Sequence, residues 1–182
     1  MEKAIKVAKE ISLASNNAGV LAVRAGNDAA GFGALAEFLD QLARKTIQAS
    51  NEINQQAMII SKMTSNSVQN DTAIEKYDKA LDTAKEYPHV DSLTPKFESI
   101  KIESNEQTED INKRVKKLTR GLQDLKQELD VGKVLASMSL VEASQAGKEY
   151  TAPLTDNAKN IASAIERIEV HVVDALKLVK SI

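Results

Sequence analysis

The chain has 182 residues, a formal net charge of −2 at pH 7 and no cysteine. The near-neutral charge gives no sign of a nucleic-acid interface, and the lack of cysteine excludes disulfides, thiolate nucleophiles and cysteine-ligated metals. Hydrophobic residues make up 42% of the chain and aromatic residues only 3%, with no tryptophan. This composition favours long packed helices over a β-sheet protein, which needs more β-branched and aromatic residues.

Membrane and export signals are not predicted. No run approaches the roughly 18 consecutive apolar residues that span a bilayer. Charged residues interrupt the first ten positions, so a signal-peptide core is not expected there. We therefore expect a cytoplasmic protein.

The first predicted helix runs from about Glu2 to Gly26. Its hydrophobic seam alternates steps of four and three residues, which is a heptad pattern. The seam consists of small residues and so predicts close packing against neighbouring helices: Ala4, Ala8, Ile11, Ser15, Ala18, Ala22 and Ala25.

The second predicted helix begins near Gly31 and keeps the same spacing over fifteen seam positions. These positions predict a long left-handed supercoil: Leu35, Leu39, Leu42, Thr46, Ala49, Ile53, Gln56, Ile60, Met63, Ser67, Asn70, Ile74, Tyr77, Leu81 and Ala84. Residues 64–71 are rich in Ser, Thr and Asn, which compete for backbone hydrogen bonds. One interpretation is a break there with a capping box from Thr72 to Glu75. The unbroken seam favours a continuous helix.

Residues 87–94 form a predicted connector, since Pro88 disfavours helix before it and Thr94 can cap a helix that begins at Pro95. The third helix is predicted to end near Gly147, although polar residues 101–107 could instead form a loop. Its seam is Phe97, Lys101, Ser104, Thr108, Ile111, Val115, Leu118, Leu122, Leu125, Leu129, Gly132, Ala136, Ser139 and Ala143.

The fourth helix is predicted to begin after Pro153, with Thr155 or Asp156 as its N-cap. Its seam is strongly amphipathic: Ile161, Ile165, Ile168, Val172, Ala175, Val179 and Ile182.

The four helices predict an all-α fold, a long antiparallel coiled-coil four-helix bundle in one elongated domain over residues 1–182. It consists of two hairpins, about 2–86 with a tip near 26–31 and about 95–182 with a tip near 147–153. With the connector at the other end, both tips point the same way. Since the first and fourth helices are short, the end opposite the tips has two helices, which leaves folding back or self-association open.

The first tip carries a family resemblance. Ten of its residues keep the pattern N-A-A-V-E-A-A-R-A-G-E-x-G-x-G-F-A-V-V-A: Asn17, Ala18, Val20, Ala22, Arg24, Ala25, Gly26, Gly31, Phe32 and Ala36. This stretch resembles the tip of the methyl-accepting chemotaxis receptor signalling domain. Leu21 replaces the glutamate of that pattern, and Asn27 replaces the acid after Ala-Gly.

A second, weaker copy of the pattern lies at Val134–Gly147, where Gly147 follows Gly26 by 121 residues. Met138 and Gln145 replace the asparagine and arginine of the pattern, whereas Glu142 is kept. The receptor domain is a dimer of helical hairpins, so the resemblance implies that this chain contains both hairpins in one polypeptide.

The resemblance also implies partners, namely the chemotaxis coupling adaptor, the histidine kinase or other receptor hairpins. By position it assigns partner binding to Asn17, Arg24, Phe32 and Glu142. The alternative is that Arg24 and Glu142 pair only within the tip, while Phe32 closes the end of the bundle.

Catalytic, metal and cofactor sites are not predicted. His89 and His171 lack a helical metal-ligand spacing, and no nucleophile–base set or phosphate loop is present. Gln55-Gln56 resembles the paired sites that receptors methylate, but Gln56 falls on the seam, which favours a polar core position. Two hypotheses remain: a chemoreceptor-like signalling protein, and a structural or assembly bundle without kinase coupling.

Overall fold

The computed structural model describes residues 1–84 and 94–180 and contains only helices in those ranges. Helix α1 spans Glu2–Ala25, and a short 3₁₀ turn, Gly26–Ala29, joins it to α2, Ala30–Ala84. Helix α3 spans Thr94–Gln145 and α4 spans Lys148–Lys180. The all-α prediction is confirmed. Nowhere in these ranges is a helix both long and apolar enough to cross a bilayer.

The chain divides into two compact units. Met1–Asn54 together with Thr119–Ile182 forms one, here called the tip unit because it contains both helix-to-helix turns. Gln55–Leu118 forms the other, the mid-chain unit. The predicted connector, with His89, lies mostly in residues 85–93, outside the described residues, as does Ile182 at the end of the fourth seam.

Small residues line the buried face of α1, as the sequence predicts. Six of the seven seam positions are buried and Ala25 is partly buried. This face lets α1 contact α4 closely, because alanine keeps the helix surfaces near each other. At the rim of the contact Arg167 donates to Glu10 across 2.7 Å.

Helix α2 is continuous through residues 64–71, and the predicted capping box at Thr72 is absent. The Thr72 hydroxyl donates instead to the carbonyl of Val68, 2.9 Å away, inside an unbroken helix. Ile60 and Ser67 stay buried on the same seam. The continuous apolar phase therefore outweighs the local preference of Ser and Thr for caps.

Residues 101–107 are helical, not a loop, and their polar side chains find partners. In the mid-chain unit Ser104 donates to Asp71 at 3.0 Å, and Asn70 donates to Gln107 at 2.9 Å. Both contacts join α2 to α3. The polar composition that suggested a loop is satisfied by bonds between the two helices.

Helix α4 begins at Lys148, so the predicted start after Pro153 is wrong. The Gly147 carbonyl accepts from the backbone N–H of Thr151, and the Thr151 hydroxyl donates to the preceding turn at 2.6 Å. Pro153 lies early in the helix, where it removes a single backbone hydrogen bond. Fully buried Leu154 anchors that turn in the core.

Two further predictions are wrong because α4 begins at Lys148. Neither Thr155 nor Asp156 is an N-cap, because both lie inside α4. The second turn is confined to residues 146–147, between α3 and α4, and is shorter than the predicted range of 147–153.

Candidate functional site

A buried cluster of small side chains fills the end of the tip unit where the two turns lie. Phe32, with no exposed surface, is its largest member. Tyr150, Leu140, Leu21 and Ala25 are partly buried against it. The buried members are Ala18, Ala22, Ala29, Phe32, Ala36, Ala143, Ala146, Leu154 and Ala158.

The two turns meet at this end. Gly26 adopts φ 70°, a left-handed conformation that favours glycine, and its N–H caps α1 by bonding to the carbonyls of Ala22 and Val23. A Cβ on Gly147 would lie 3.8 Å from the Oδ2 of Asp28 in the first turn. The tips of the two predicted hairpins are therefore neighbours within the tip unit.

Glu142 of α3 packs directly over α2 at Gly31. A Cβ on Gly31 would lie only 2.3 Å from the Oε2 of Glu142, so any side chain there would displace this carboxylate. Glycine at position 31 therefore has a steric role, because its missing side chain leaves the space that the partly buried Glu142 occupies.

Burial reveals an internal repeat longer than the sequence resemblance indicated. Before the turns, buried positions recur after 121 residues: Ala4 with Leu125, Ala8 with Leu129, Ile11 with Gly132, Ser15 with Ala136, Ala18 with Ser139 and Ala22 with Ala143. After the turns they recur after 122 residues: Phe32 with Leu154, Ala36 with Ala158, Leu39 with Ile161, Ala43 with Ile165, Thr46 with Ile168 and Ser50 with Val172. The second turn region is one residue longer, because Phe32 follows Ala22 by 10 residues whereas Leu154 follows Ala143 by 11.

The four candidate residues differ in accessibility. Asn17 and Arg24 are exposed on α1, Glu142 is partly buried on α3, and Phe32 is fully buried. Within the described residues, no ion pair joins Arg24 to Glu142. Phe32 and Glu142 lie close together, one inside the cluster and one over the neighbouring Gly31, whereas Asn17 and Arg24 face solvent.

A groove between α1 and α2 is the feature that sequence reasoning missed. Its volume is about 480 Å³. Its floor is open because Gly19 and Gly33 have no side chains, and a Cβ on Gly19 would meet nothing within 4 Å. The lining residues are Ser15, Asn16, Gly19, Val20, Val23, Arg24, Gly33, Ala36, Glu37 and Asp40.

Two polar groups of this groove have contrasting surroundings. Ser15 is 1% exposed and its hydroxyl has no hydrogen-bond partner. Asp40 accepts from Ser12 and from Arg44. Burial raises the pKa of Asp40, but these two donors and the Arg44 charge outweigh it and hold the pKa below its usual value. The groove therefore keeps one ionised carboxylate and one unsatisfied hydroxyl.

The remaining candidates give no chemical site. Gln56 is half-buried in the mid-chain unit and its Oε1 lacks a partner, while Gln55 is exposed. His171 is partly buried beside a groove between α1 and α4. Among residues 1–84 and 94–180, no three His, Asp or Glu side chains cluster so as to hold a metal ion.

Comparison with known proteins found no match for the chain. No protein-family model, curated protein or solved structure matches the chain.

Proposed function

We propose that the chain is a chemoreceptor-like signalling protein that binds partner proteins through the tip unit. The partners are the coupling adaptor and histidine kinase of chemotaxis-type signalling, or receptor hairpins, as the resemblance of residues 17–36 implies. The observation that carries the proposal is the adjacency of the two turns, with Asp28 beside Gly147. One turn alone would be a simple helix reversal, whereas two adjacent turns make a composite surface.

The proposed architecture is an antiparallel four-helix coiled coil in which two hairpins imitate a receptor dimer. The repeat in burial, at 121 residues before the turns and 122 after them, supports it. Contacts between α2 and α3 also support it: Glu142 packs over Gly31 near the turns, and Leu42 lies beside Gly132 further along. Such a sequence of contacts is what oppositely directed helices make.

Exposed side chains define where a partner would bind. Arg24 lies in the last turn of α1, where its charge is favourable to the helix dipole and free of ion pairs in the described residues. Asn17 lies two turns before it on the same helix. Arginine and an adjacent apolar surface, here Val20 and Val23, are frequent anchors of protein interfaces.

The test is binding of the purified chain to immobilised coupling adaptor and kinase. We expect Arg24→Glu to reduce retention at least tenfold, because it reverses the charge of the proposed anchor. Arg120→Glu, at an exposed arginine of α3 in the same unit, is the matched control and should bind as the wild type does. A wild-type chain that neither protein retains would refute the proposal.

A structural or assembly bundle is the second candidate, and one observation favours it. Four apolar residues of α3, each more than half exposed, follow a heptad spacing without a partner helix: Val131, Val134, Met138 and Val141. A row of this kind is typical of a surface that packs against another helix. Binding to neither adaptor nor kinase, together with self-assembly, would favour this candidate.

A further inference from the structure

The two halves of the repeat differ at several positions near their outer surfaces. At the position that corresponds to Gly19, 121 residues later, α3 has Leu140, which packs against the tip cluster. At the position of Asn17, α3 has Met138. The positions of Val134 and Val141 correspond to Leu13 and Val20, which are also apolar and exposed on α1. On α3 the exposed apolar row is longer, with Val131, Val134, Met138 and Val141, and it is here called the α3 ridge.

We propose that the α1–α2 groove of one copy of this chain binds the α3 ridge of a second copy. The groove is open because of its glycines, and the α3 ridge exposes between 51% and 59% of each side chain. Apolar side chains at heptad spacing fit a groove between two helices, because they enter it as a continuous row. Small residues on the groove floor let the incoming helix approach closely.

A separate observation favours an occupant in the groove. The hydroxyl of Ser15 is buried and without a partner at its lining. An unsatisfied buried hydroxyl is unfavourable. Because the side chains of the α3 ridge are apolar, the acceptor for Ser15 would be a backbone carbonyl of the incoming helix. The groove therefore has a buried, unsatisfied hydroxyl in addition to its small residues.

The charges beside the two surfaces favour a second copy of this chain as the occupant and indicate the direction of its α3. Arg24 lies at one end of the groove and has no ion pair in the described residues. Glu142, next to Val141 of the α3 ridge, lies over Gly31 of its own chain but is only partly buried there, and it has no ion pair in those residues either. If Arg24 of one copy lies level with Glu142 of the other and both helices run the same way, the groove from Ser15 to Arg24 lies against residues 133–142. That stretch contains Val134, Met138 and Val141. The charged pair and the apolar contact therefore agree on one register.

The contact pairs two different surfaces, so it is heterologous and each copy has one groove and one ridge. It involves one ridge and one groove only and is small by the standard of stable complexes, which bury about 1,200 Å² or more. We expect association that is reversible and depends on concentration. It requires only this chain and is independent of any adaptor or kinase.

Sedimentation velocity of the purified full chain tests the proposal. The wild type should show an average mass that rises with concentration. Gly19→Leu places a large side chain in the groove, at a position where a Cβ meets nothing within 4 Å. Met138→Glu places a charge on the α3 ridge. Each variant alone should stay monomeric, with at least a tenfold loss of association, while Met58→Glu, an exposed methionine of the mid-chain unit, should associate as the wild type does.

Mixing the two variants gives the sharpest result. Gly19→Leu keeps an intact ridge and Met138→Glu an intact groove, so an equimolar mixture should form a heterodimer that neither forms alone. A monomeric mixture would overturn the pairing of these two surfaces. So would a wild type that stays monomeric at millimolar concentration, or variants that associate normally. Circular dichroism confirms that each variant is folded, and adaptor binding measured separately keeps this proposal distinct from the proposed function.

Charge reversal checks the register. Arg24→Glu and Glu142→Arg should each weaken self-association several-fold, and the double variant should restore it. Equal weakening in the double variant would contradict the Arg24–Glu142 contact between copies.

Discussion

The same heptad seam of α2 passes through both units, yet its burial differs between them. In the tip unit, where segments of all four helices are present, Leu35, Leu39 and Leu42 are almost completely buried. In the mid-chain unit, whose described residues belong to α2 and α3, Ile60 is buried but Met63, Ile74 and Leu81 are only half-buried. A heptad pattern therefore fixes which face points inward, while the number of neighbouring helices decides how far that face is shielded from water.

The two units also differ in what joins their helices. The tip unit has a continuous apolar core, with polar contacts between helices such as Arg167–Glu10 and Ser12–Asp40 beside it. The mid-chain unit adds directional contacts between α2 and α3: the Asn70–Gln107 hydrogen bond, the Tyr77–Phe97 ring contact with centroids 6.3 Å apart, and Lys101 over the Phe97 ring at 4.2 Å. Such contacts specify alignment, but of the side chains that make them only Phe97 is buried. We therefore expect the mid-chain unit to open more readily.

Truncation of one leucine in each unit should give the largest difference. Leu39→Ala removes a fully buried side chain and should lower the free energy of unfolding by roughly 2–5 kcal/mol. Leu81→Ala, on the same seam in the mid-chain unit, should cost less than about half as much, because its side chain is already partly solvated. Urea unfolding followed by circular dichroism measures both. Equal costs would mean that another molecule covers the mid-chain seam.

Two glycines of α3 test how tightly the tip unit is packed. A Cβ on Gly132 would lie 2.3 Å from Leu42 Cδ2 and 3.2 Å from Ile165 Cδ1, so Gly132→Ala should destabilise by about 1–2 kcal/mol despite a better helix propensity. At Gly121 the nearest atom, Ile53 Cγ1, is 3.9 Å away, so Gly121→Ala should stabilise by up to about 1 kcal/mol. The shifts in thermal midpoint should have opposite signs. Stabilisation by both would show that the core around Leu42 repacks freely.

Periodicity predicted most of the helical structure but not the depth of burial. Helices α1 and α2 and the inward-facing seams follow from steps of three and four residues, which persist over many turns. Tyr77 occupies a seam position yet is 43% exposed, because the described residues of the mid-chain unit include no third helix. The single-sequence pattern contains no information on how many helices surround a given segment.

Local rules failed where tertiary packing outweighed them. Pro153 predicted the start of α4, but buried Leu154 and the hydroxyl of Thr151 hold an earlier helical turn in place. Of the candidate site, the exposure of Asn17 and Arg24 fits the predicted binding surface. The groove was missed because it depends on Gly19 and Gly33, which lie on different helices and become neighbours only in the folded structure.

Polar contacts between helices should matter more in the mid-chain unit. Asn70→Ala leaves the half-buried Gln107 amide without its partner and should cost about 1 kcal/mol. Glu10→Ala breaks the exposed Arg167–Glu10 pair of the tip unit and should cost no more than a few tenths of a kcal/mol. Hydrogen exchange resolved by unit is the measurement, and a larger loss of protection from Glu10→Ala would reverse the comparison.

The smallest expected effect compares two Asp–Arg pairs with the same helical spacing. Asp40 of the tip unit accepts from Arg44 at 2.8 Å, and Asp110 of the mid-chain unit accepts from Arg114 at 3.0 Å. The Asp40 side chain is 16% exposed and that of Asp110 is 47% exposed, so solvent screens the second pair more. Only for Asp40 does a second donor, Ser12 of α1, bind the carboxylate.

Asp40→Asn should therefore lower the free energy of unfolding at pH 7 by under about 1 kcal/mol, and Asp110→Asn by less. Because the pKa of Asp40 is lower in the folded chain, its contribution is fully present above the pKa of the unfolded state, about 3.9, and is lost as pH falls through the lower folded value. The difference between wild type and Asp40→Asn should thus shrink as the pH falls below the pKa of the unfolded state. Urea unfolding at pH 7 and at a series of lower pH values measures it, and a difference that does not shrink as the pH falls would mean that the Asp40 charge is not its source.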